Sequence, residues 1–418
     1  MPPLDDLTSV FAQLGQFIHS PAFADLARGT QSTAFVRHRK LPLPYLVGAL
    51  LSQRSQSQQL MLDSFFASLA GHAGLERVAS DRAFAQARNK LKPAALTALN
   101  AQLLDLAQAR GWMPLWHGLR VVAADASVFM PATRACHQTR LAAQPDQRLF
   151  GLYLPGPELC LHAQLYGPET GERQMLFENL QHLQANDVLV LDRGYPAAWL
   201  IALLQQQSIR FCMRCDSDSG FKAVREFLRS GASEAMVTLN MPSIEDAKDY
   251  EFIRQAPRVR LVRCVSSSGK VRVLLTNLDA QAFPAELFGQ LYHQRWRIEE
   301  AFKRLKHRLK IESVSGLSQQ ACVIDIAAKV LADNLGALLS HCARGLQERS
   351  DRVCNRSYAA SLMQRMLPRL LLLLGALATC IAQSIELLKV NLVRRVEGRS
   401  RPRPASKIKP HLRLAYKG

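Results

Sequence analysis

The chain has 418 residues, which at ~100–200 residues per domain predicts roughly two to four units with at least one substantial core. Hydrophobic residues make up 48% and charged residues 21%, so the composition excludes a wholly disordered chain. The chain has 53 Lys and Arg and 34 Asp and Glu, and the resulting net charge of +19 indicates a polyanionic partner. Nucleic acid is the first candidate, and an anionic membrane surface is the alternative.

The beginning of the chain and its cysteines favour a cytoplasmic protein. Asp5 and Asp6 stand where a secretory signal would have basic and then apolar residues. The most apolar stretch, 370–382, is shorter than the ~18 residues of a membrane span, so we expect a buried helix there. Nine scattered cysteines fit a reducing compartment, and we interpret Cys212 and Cys215 as ordinary strand residues rather than as metal ligands.

Residues 1–115 are predicted to be helical, because apolar residues such as Phe84 and Leu91 recur at helical spacing. Several basic runs on this small bundle favour a module that contacts DNA. The pattern changes near Trp112, where β-type runs begin.

Two apolar β runs, 119–124 and 187–191, end at Asp125 and Asp192. Catalytic groups gather beyond the ends of strands in α/β sheets, although an aspartate there is also a common turn or capping residue. The neighbouring segments are predicted as a hairpin, a helix and further strands: strands 159–166 and 172–177, a helix through Leu204, strand 209–215, and β runs 258–265 and 270–276. Together these elements predict a mixed α/β sheet with a mostly-β insertion.

Residues 292–310 are predicted to form one helix, because the segment contains no Gly or Pro. At about 100° per residue, four polar side chains fall within about 60° of one another on this helix: Tyr292, Arg295, Glu299 and Lys306. A carboxylate among cationic groups fits a metal ligand beside phosphates. The alternative is a solvated amphipathic helix with an Arg295–Glu299 pair.

This spacing resembles a known family. The residues Tyr292-x2-Arg295-x3-Glu299-x6-Lys306 match the YREK signature of bacterial insertion-sequence transposases of the DDE class. The segment Asp192-Arg193-Gly194-Tyr195 is similar to the region around their second aspartate, and Asp125 occupies the place of the first.

The resemblance implies an RNase H-like catalytic core within a mixed α/β fold, flanked by helical regions. We therefore expect this organisation: a helical DNA-end-binding domain at 1–115, the first part of the core at 116–215, a mostly-β insertion at 216–284, the catalytic helix at 285–315, a helical region at 316–393 and a basic tail at 394–418.

The resemblance also implies the chemistry. Asp125, Asp192 and Glu299 would hold Mg²⁺ or Mn²⁺, as two ions, because hard cations prefer oxygen ligands. Tyr292, Arg295 and Lys306 would bind the phosphates at the cleaved end. The implied partners are double-stranded DNA, as terminal inverted repeats and target, and a second copy of the chain, with no membrane; nucleoid association follows from the DNA.

The sequence departs from the pattern of that family at two places. Ala126-Ser127 follows the first acid where Gly-Thr is frequent, and the insertion contains no tryptophan. If cleavage used a hairpin intermediate, Phe221, Phe252 or another aromatic residue would have to stack on a flipped base.

We therefore expect a cut-and-paste DNA transposase. The alternatives are a related metal-dependent nuclease without strand transfer and a non-catalytic DNA-binding protein. The acids speak against the last alternative, because each would repel phosphate unless a metal ion intervened.

Overall fold

The computed structural model describes residues 2–37, 39–52, 57–131, 146–216, 220–265, 269, 271–346 and 352–394. The chain divides into two compact units. The first, here called the sheet unit, comprises Met113–Ser127 and Arg148–Phe302. The second, the helical unit, comprises the described residues within Met1–Trp112, Val128–Gln147 and Lys303–Gly418.

The sheet unit is built around eight strands with short helices between them. Its strands are β1 (Arg120–Phe129), β2 (Gln147–Leu154), β3 (Leu159–Tyr166), β4 (Asp187–Leu191), β5 (Arg210–Cys215), β6 (Glu234–Thr238), β7 (Arg258–Val265) and β8 (Val271–Thr276). The α-helices of this part of the chain are α7 (Glu172–Phe177), α8 (Ala198–Gln206), α9 (Lys222–Ser230), α10 (Ile244–Asp249), α11 (Phe288–His293) and α12 (Trp296–His307), the last of which continues into the helical unit.

The eight strands form one mixed sheet in the order β3-β2-β1-β4-β5-β8-β7-β6. The central strands β1, β4 and β5 are parallel, and β2 pairs with β3 in antiparallel fashion. The order β3-β2-β1-β4-β5 with this pattern of directions is the RNase H-like arrangement, so the predicted fold class is confirmed.

Apolar side chains explain why β1 and β4 lie at the centre of the sheet. All five residues of β4 are buried, as are the first five of β1, which is typical of strands covered on both faces. Arg120 and Asp187 are register partners at the beginning of these strands. They form a two-point ion pair, with Nε 2.6 Å from Oδ1 and Nη2 2.8 Å from Oδ2.

The insertion extends the sheet. Its strand β8 pairs with β5 in antiparallel fashion, and β7 and β6 follow in turn. The runs predicted at 258–265 and 270–276 correspond to β7 and β8. The same region also contains α9 and α10, so the insertion mixes strands with helices.

The helical unit contains the helices at the two ends of the chain: α1 (Leu4–Ile18), α2 (Pro21–Arg28), α3 (Leu43–Leu51), α4 (Gln58–Leu69), α5 (Asp81–Lys90), α6 (Pro93–Ala109), α13 (Gln319–Gly345), α14 (Arg356–Leu372) and α15 (Leu377–Val390). A two-stranded ladder joins β9 (Arg352–Cys354) to β10 (Leu392–Arg394). The long helix α13 packs against α6, α14 and α15. Its Lys329 is buried and donates to the carbonyl oxygens of Lys310 and Ser313, so this cation caps the turn that precedes α13.

The hairpin predicted for 159–177 is wrong in its second strand. The partner of β3 is β2, which precedes it, and Glu172–Phe177 forms the helix α7. The adjacent residues Met175 and Leu176 are both buried. A strand would direct consecutive side chains to opposite faces, whereas one turn of helix can turn this adjacent pair toward the core.

The single helix predicted for 292–310 is interrupted. The helix α11 ends at His293 and α12 begins at Trp296. Across the junction the amides of Arg295 and Ile298 donate to carbonyl oxygens three residues earlier, those of Tyr292 and Arg295. Such bonds tighten the turn relative to an α-helix, and the uniform 100° repeat does not hold there.

The helix predicted over 370–382 is also interrupted. α14 ends at Leu372, and α15 begins at Leu377 after a short 3-10 turn. No helix among the described residues has the length and apolar character needed to cross a membrane. Beyond Arg394 the basic tail lies outside the described residues.

Candidate active site

The two aspartates lie where the parallel strands β1 and β4 stop pairing. The β1–β4 ladder ends at Ala123 and Val190. Asp125 follows two residues later, within a strand that continues to Phe129, and Asp192 directly follows β4. Adjacent parallel strands bring their carboxyl ends to the same edge of a sheet. The structure therefore places both predicted acids at one edge of the sheet.

Glu299 is linked to Asp125 through one arginine. Arg295 Nη2 lies 2.6 Å from Glu299 Oε1, and Arg295 Nη1 lies 3.8 Å from Asp125 Oδ2. The side chains of Arg295, Asp125 and Glu299 are 7%, 17% and 24% exposed, so these ion pairs are largely shielded from water. The third predicted acid thus meets the first through a shared guanidinium.

Aromatic rings hold this guanidinium in place. The guanidinium carbon, Arg295 Cζ, lies 5.9 Å from the ring centre of Tyr292 and 5.6 Å from that of Trp296. Tyr292 is buried in the apolar cluster between α11 and the sheet, whereas Trp296 is exposed. The buried Arg295 Nε has no hydrogen-bond partner among the described residues. Arg295 is therefore fixed beside the acids with one donor unused.

Lys306 belongs to the helical unit. Its Nζ donates to the carbonyl oxygen of Val128 and lies 3.9 Å from Glu312 Oε1. The carbonyl oxygen carries a partial negative charge and the carboxylate a full one, so both are suitable partners for an ammonium group. They hold Lys306 in a defined position.

A fourth carboxylate, Glu172, approaches the aspartates and was missed in the sequence. It is the first residue of α7 and is half-buried. A Cβ atom added to Gly194 would stand 3.1 Å from Asp192 Oδ1 and 3.2 Å from Glu172 Oε2. The available signal in the sequence was an acid directly after Gly171, which is typical of the first turn of a helix. The hairpin prediction assigned this segment to a strand, so the signal was not used.

Burial and neighbouring charges alter the protonation of this cluster. The pKa of Asp125 is raised from 3.8 to about 7, mainly by burial and also by the negative charges of Glu172 and Asp192, while Arg295 and the amide of Ala126 oppose the rise. Burial and the negative charge of Asp192 raise the pKa of Glu172, while the positive charges of Arg173 and Arg295 act to lower it. The metal-free cluster thus carries more negative charge than its surroundings stabilise.

This excess charge predicts a pH-dependent stability. Because the pKa of Asp125 in the folded state is above 3.8, its protonation stabilises the fold, and this contribution is lost as pH rises from about 4 through about 7. At ~1.4 kcal/mol per pKa unit, the loss amounts to a few kcal/mol at most. Asparagine does not titrate, so Asp125→Asn should be more stable relative to the wild type at pH 8 than at pH 5. Both proteins are compared in the presence of a chelator, and the quantity compared is the free energy of unfolding. Urea unfolding at both pH values measures this difference, and an equal difference at both would contradict it.

The oxygen donors fit a hard divalent cation. Asp125, Asp192, Glu172 and Glu299 offer carboxylates only, and the fully buried hydroxyl of Tyr195 has no hydrogen-bond partner among the described residues. Within that same part of the chain, no three Asp, Glu, His or Cys side chains are already positioned around one metal position. Arg295 instead supplies the positive charge between Asp125 and Glu299.

Two other sequence features have no role in this site. Cys212 and Cys215 are buried residues of β5. Phe221 and Phe252 are 5% and 6% exposed, so neither presents a ring for a flipped base.

An RNase H-like sheet with acids at the ends of its central parallel strands defines a class of enzymes that cut or join nucleic-acid strands. Comparison with known proteins specifies the class further. A family model described as the transposase DDE domain matches residues 161–335. The transposase InsG for insertion sequence element IS4 of Escherichia coli (strain K12) is 22% identical over 321 residues, which cover 73% of this chain and 71% of that protein.

Among solved structures, the piggyBac transposase in a synaptic complex with hairpin DNA aligns with a TM-score of 0.44 and 12% identity, over 96% of this chain and 87% of that one. The fold of the sheet unit is defined by its own strand order. The family match and the relative support a transposase function for this chain, carried out by an enzyme of the DDE nuclease and transposase type.

Proposed function

We propose that the chain is the transposase of a bacterial insertion sequence. It binds the terminal inverted repeats as a dimer and catalyses metal-dependent DNA cleavage and strand transfer by a cut-and-paste route. The observation that carries the proposal is the position of Asp125 and Asp192 at one edge of an RNase H-like sheet, with Glu299 linked to Asp125 through Arg295.

In this proposal Asp125, Asp192 and Glu299 hold two Mg²⁺ or Mn²⁺ ions. When bound, such ions activate the attacking hydroxyl and stabilise the departing oxygen of the phosphodiester. The chain's contribution is to hold these half-buried carboxylates in defined positions before DNA binds. Burial also keeps Asp125 partly protonated near neutral pH, so cation binding must displace a proton there.

Arg295 has two roles in succession. In the metal-free protein it compensates the charges of Glu299 and Asp125. Once cations compensate those carboxylates, its planar fork is available to DNA phosphate, because guanidinium groups bind two phosphate oxygens at once. We propose the same class of partner, phosphate at the cleaved end, for Tyr292 and Lys306.

A plasmid assay tests the proposal against its alternatives. A supercoiled plasmid carrying the DNA that flanks the coding sequence is incubated with the purified protein and Mg²⁺. Excised and rejoined products support the transposase. Cleavage without joining would indicate a metal-dependent nuclease, and binding without cleavage would indicate a DNA-binding protein.

The basic tail is expected to contact DNA phosphates. From residue 394 onward it has nine Lys and Arg against one acid, Glu397. Truncation after Val393 should weaken binding to the terminal DNA and flatten its salt dependence by about 0.9 logarithmic units per lost phosphate contact. Binding measured between low and high salt checks this, with a scrambled tail of the same composition as the control. An unchanged slope would exclude the tail from the interface.

A further inference from the structure

Glu172 is brought to the sheet by the helix that follows β3. Met175 and Leu176 are buried and anchor α7, and Glu172 stands at its first residue. The adjacent Arg173 donates to the carbonyl oxygens of Tyr195 and Pro196, each at 3.1 Å. These bonds join the start of α7 to the segment that follows Asp192, so the position of Glu172 is determined by packing and by hydrogen bonds.

Gly194 allows two carboxylates to approach the same point. A Cβ atom there would stand 3.1 Å from Asp192 Oδ1 and 3.2 Å from Glu172 Oε2. The Gly194 amide also donates to Asp192 Oδ1 at 2.7 Å, which fixes that oxygen. Two acids from different elements therefore meet where the chain has no side chain to separate them.

No cation of the protein is paired with Glu172 in the part of the chain that the structure describes. Arg173 is used by carbonyl oxygens, and Arg295 is within 4.0 Å of Glu299 and Asp125 instead. Burying a carboxylate without a partner is costly. A carboxylate retained under these conditions indicates a positive partner that the chain itself does not provide.

Tyr195 supplies an independent indication of a ligand. Its side chain is fully buried and its hydroxyl has no hydrogen-bond partner among the described residues. The Tyr195 amide donates to the carbonyl oxygen of Asp192 at 3.4 Å, so the residue belongs to the turn that follows this acid. Burial and the negative charges of Glu172, Asp125 and Asp192 raise the pKa of its hydroxyl well above the ordinary value. Buried hydroxyls nearly always have a partner, so this one indicates a further polar group within the cluster.

We infer that Glu172 is a fourth carboxylate of the metal centre and that it binds, together with Asp192, one hard divalent cation of the Mg²⁺ or Mn²⁺ type. The inference rests on the proposed function. It assigns to α7 a part in catalysis that neither the DDE triad nor the YREK residues include. The Tyr195 hydroxyl is then a polar neighbour of that cation position.

Manganese binding tests the inference on the full chain. Electron paramagnetic resonance counts the Mn²⁺ bound by the purified, metal-free protein. We expect two ions per wild-type chain and at least about tenfold weaker binding of one of them in Glu172→Gln. The matched control is Glu169→Gln, an exposed acid three residues earlier, which should bind Mn²⁺ as the wild type does.

A comparison with Asp192→Asn separates the two proposals. If Asp192→Asn loses Mn²⁺ and Glu172→Gln binds as the wild type does, the role of Glu172 is overturned and the metal centre stands. If the wild type binds no Mn²⁺, or Asp192→Asn binds normally, the proposed metal centre fails as well.

A second variant guards against loss of folding in Glu172→Gln. Gly194→Ala places a methyl group 3.1–3.2 Å from both carboxylate oxygens. It should weaken the same ion without changing any charge, and wild-type Mn²⁺ affinity in this variant would contradict the shared position. Circular dichroism verifies the fold of each variant.

Discussion

Replacement of Asp125, Asp192 or Glu299 by alanine is expected to abolish DNA cleavage while binding of the terminal DNA is preserved. Each change removes one oxygen ligand from the proposed metal centre and leaves the rest of the sheet intact. A metal ion contributes several kcal/mol to the stabilisation of the transition state, which corresponds to on the order of 10³-fold in rate. Plasmid cleavage and a gel-shift assay measure the two properties separately.

Glu300→Ala is the matched control for Glu299→Ala. Glu300 is the next residue of α12, is exposed, and pairs with Arg297 at 3.7 Å. Cleavage by this variant should equal that of the wild type. A near wild-type rate in any variant of Asp125, Asp192 or Glu299 would remove that acid from the catalytic set.

Loss of the buried Arg120–Asp187 pair is expected to destabilise the protein by ~3–5 kcal/mol, because the remaining charge would be buried without its partner. The two side chains are 5% and 1% exposed. Asp187 also accepts from the amide of Gln184 at 2.8 Å, so the pair connects β1, β4 and the loop before β4. Urea unfolding of Arg120→Ala measures the loss of free energy.

Two comparisons show whether burial is the cause. The Arg297–Glu158 pair has a similar distance of 2.9 Å, but Arg297 is 40% exposed, so Arg297→Ala should cost less than ~1 kcal/mol. The double variant Arg120→Met, Asp187→Leu should recover much of the stability, since two apolar side chains bury no charge. Equal losses for Arg120→Ala and Arg297→Ala would contradict the explanation.

The central strands and their acids could be predicted because one physical rule determines both. Strands buried on both faces are apolar along most of their length, so the β1 and β4 runs are visible in the sequence and Asp125 and Asp192 are conspicuous after them. The strand order of the sheet is the one expected for the RNase H-like core that the resemblance implies. The pairing of β5 with β8 is a long-range contact with no local signal.

The helix that carries Glu299 was predicted only in part. Its sequence contains no residue that stops a helix, yet the bonds around Arg295 run to the third residue back rather than the fourth. Tertiary packing explains the difference, because Tyr292 is held in the core beside the sheet while Arg295 must reach two carboxylates. The Arg295–Glu299 contact was foreseen, but only as the alternative to a metal site.

Glu172 could not be placed because its segment is too short for its period to be determined. Six residues that end in three consecutive apolar side chains fit a strand or a single helical turn almost equally well. The preceding Gly-Pro-Glu-Thr-Gly turn favoured a hairpin. Assigning a strand to 172–177 left no reason to place its glutamate near the aspartates.

The pairing of β5 with β8 has a consequence for shortened forms of the protein. Residues 212–215 of β5 have their outer partners in residues 273–276 of β8. A chain from which the insertion has been excised would leave that flank of β5 open, and an open flank is a template for strands of other molecules. Such a deletion should yield aggregates rather than a minimal nuclease, whereas length changes between β6 and β7 leave this ladder intact.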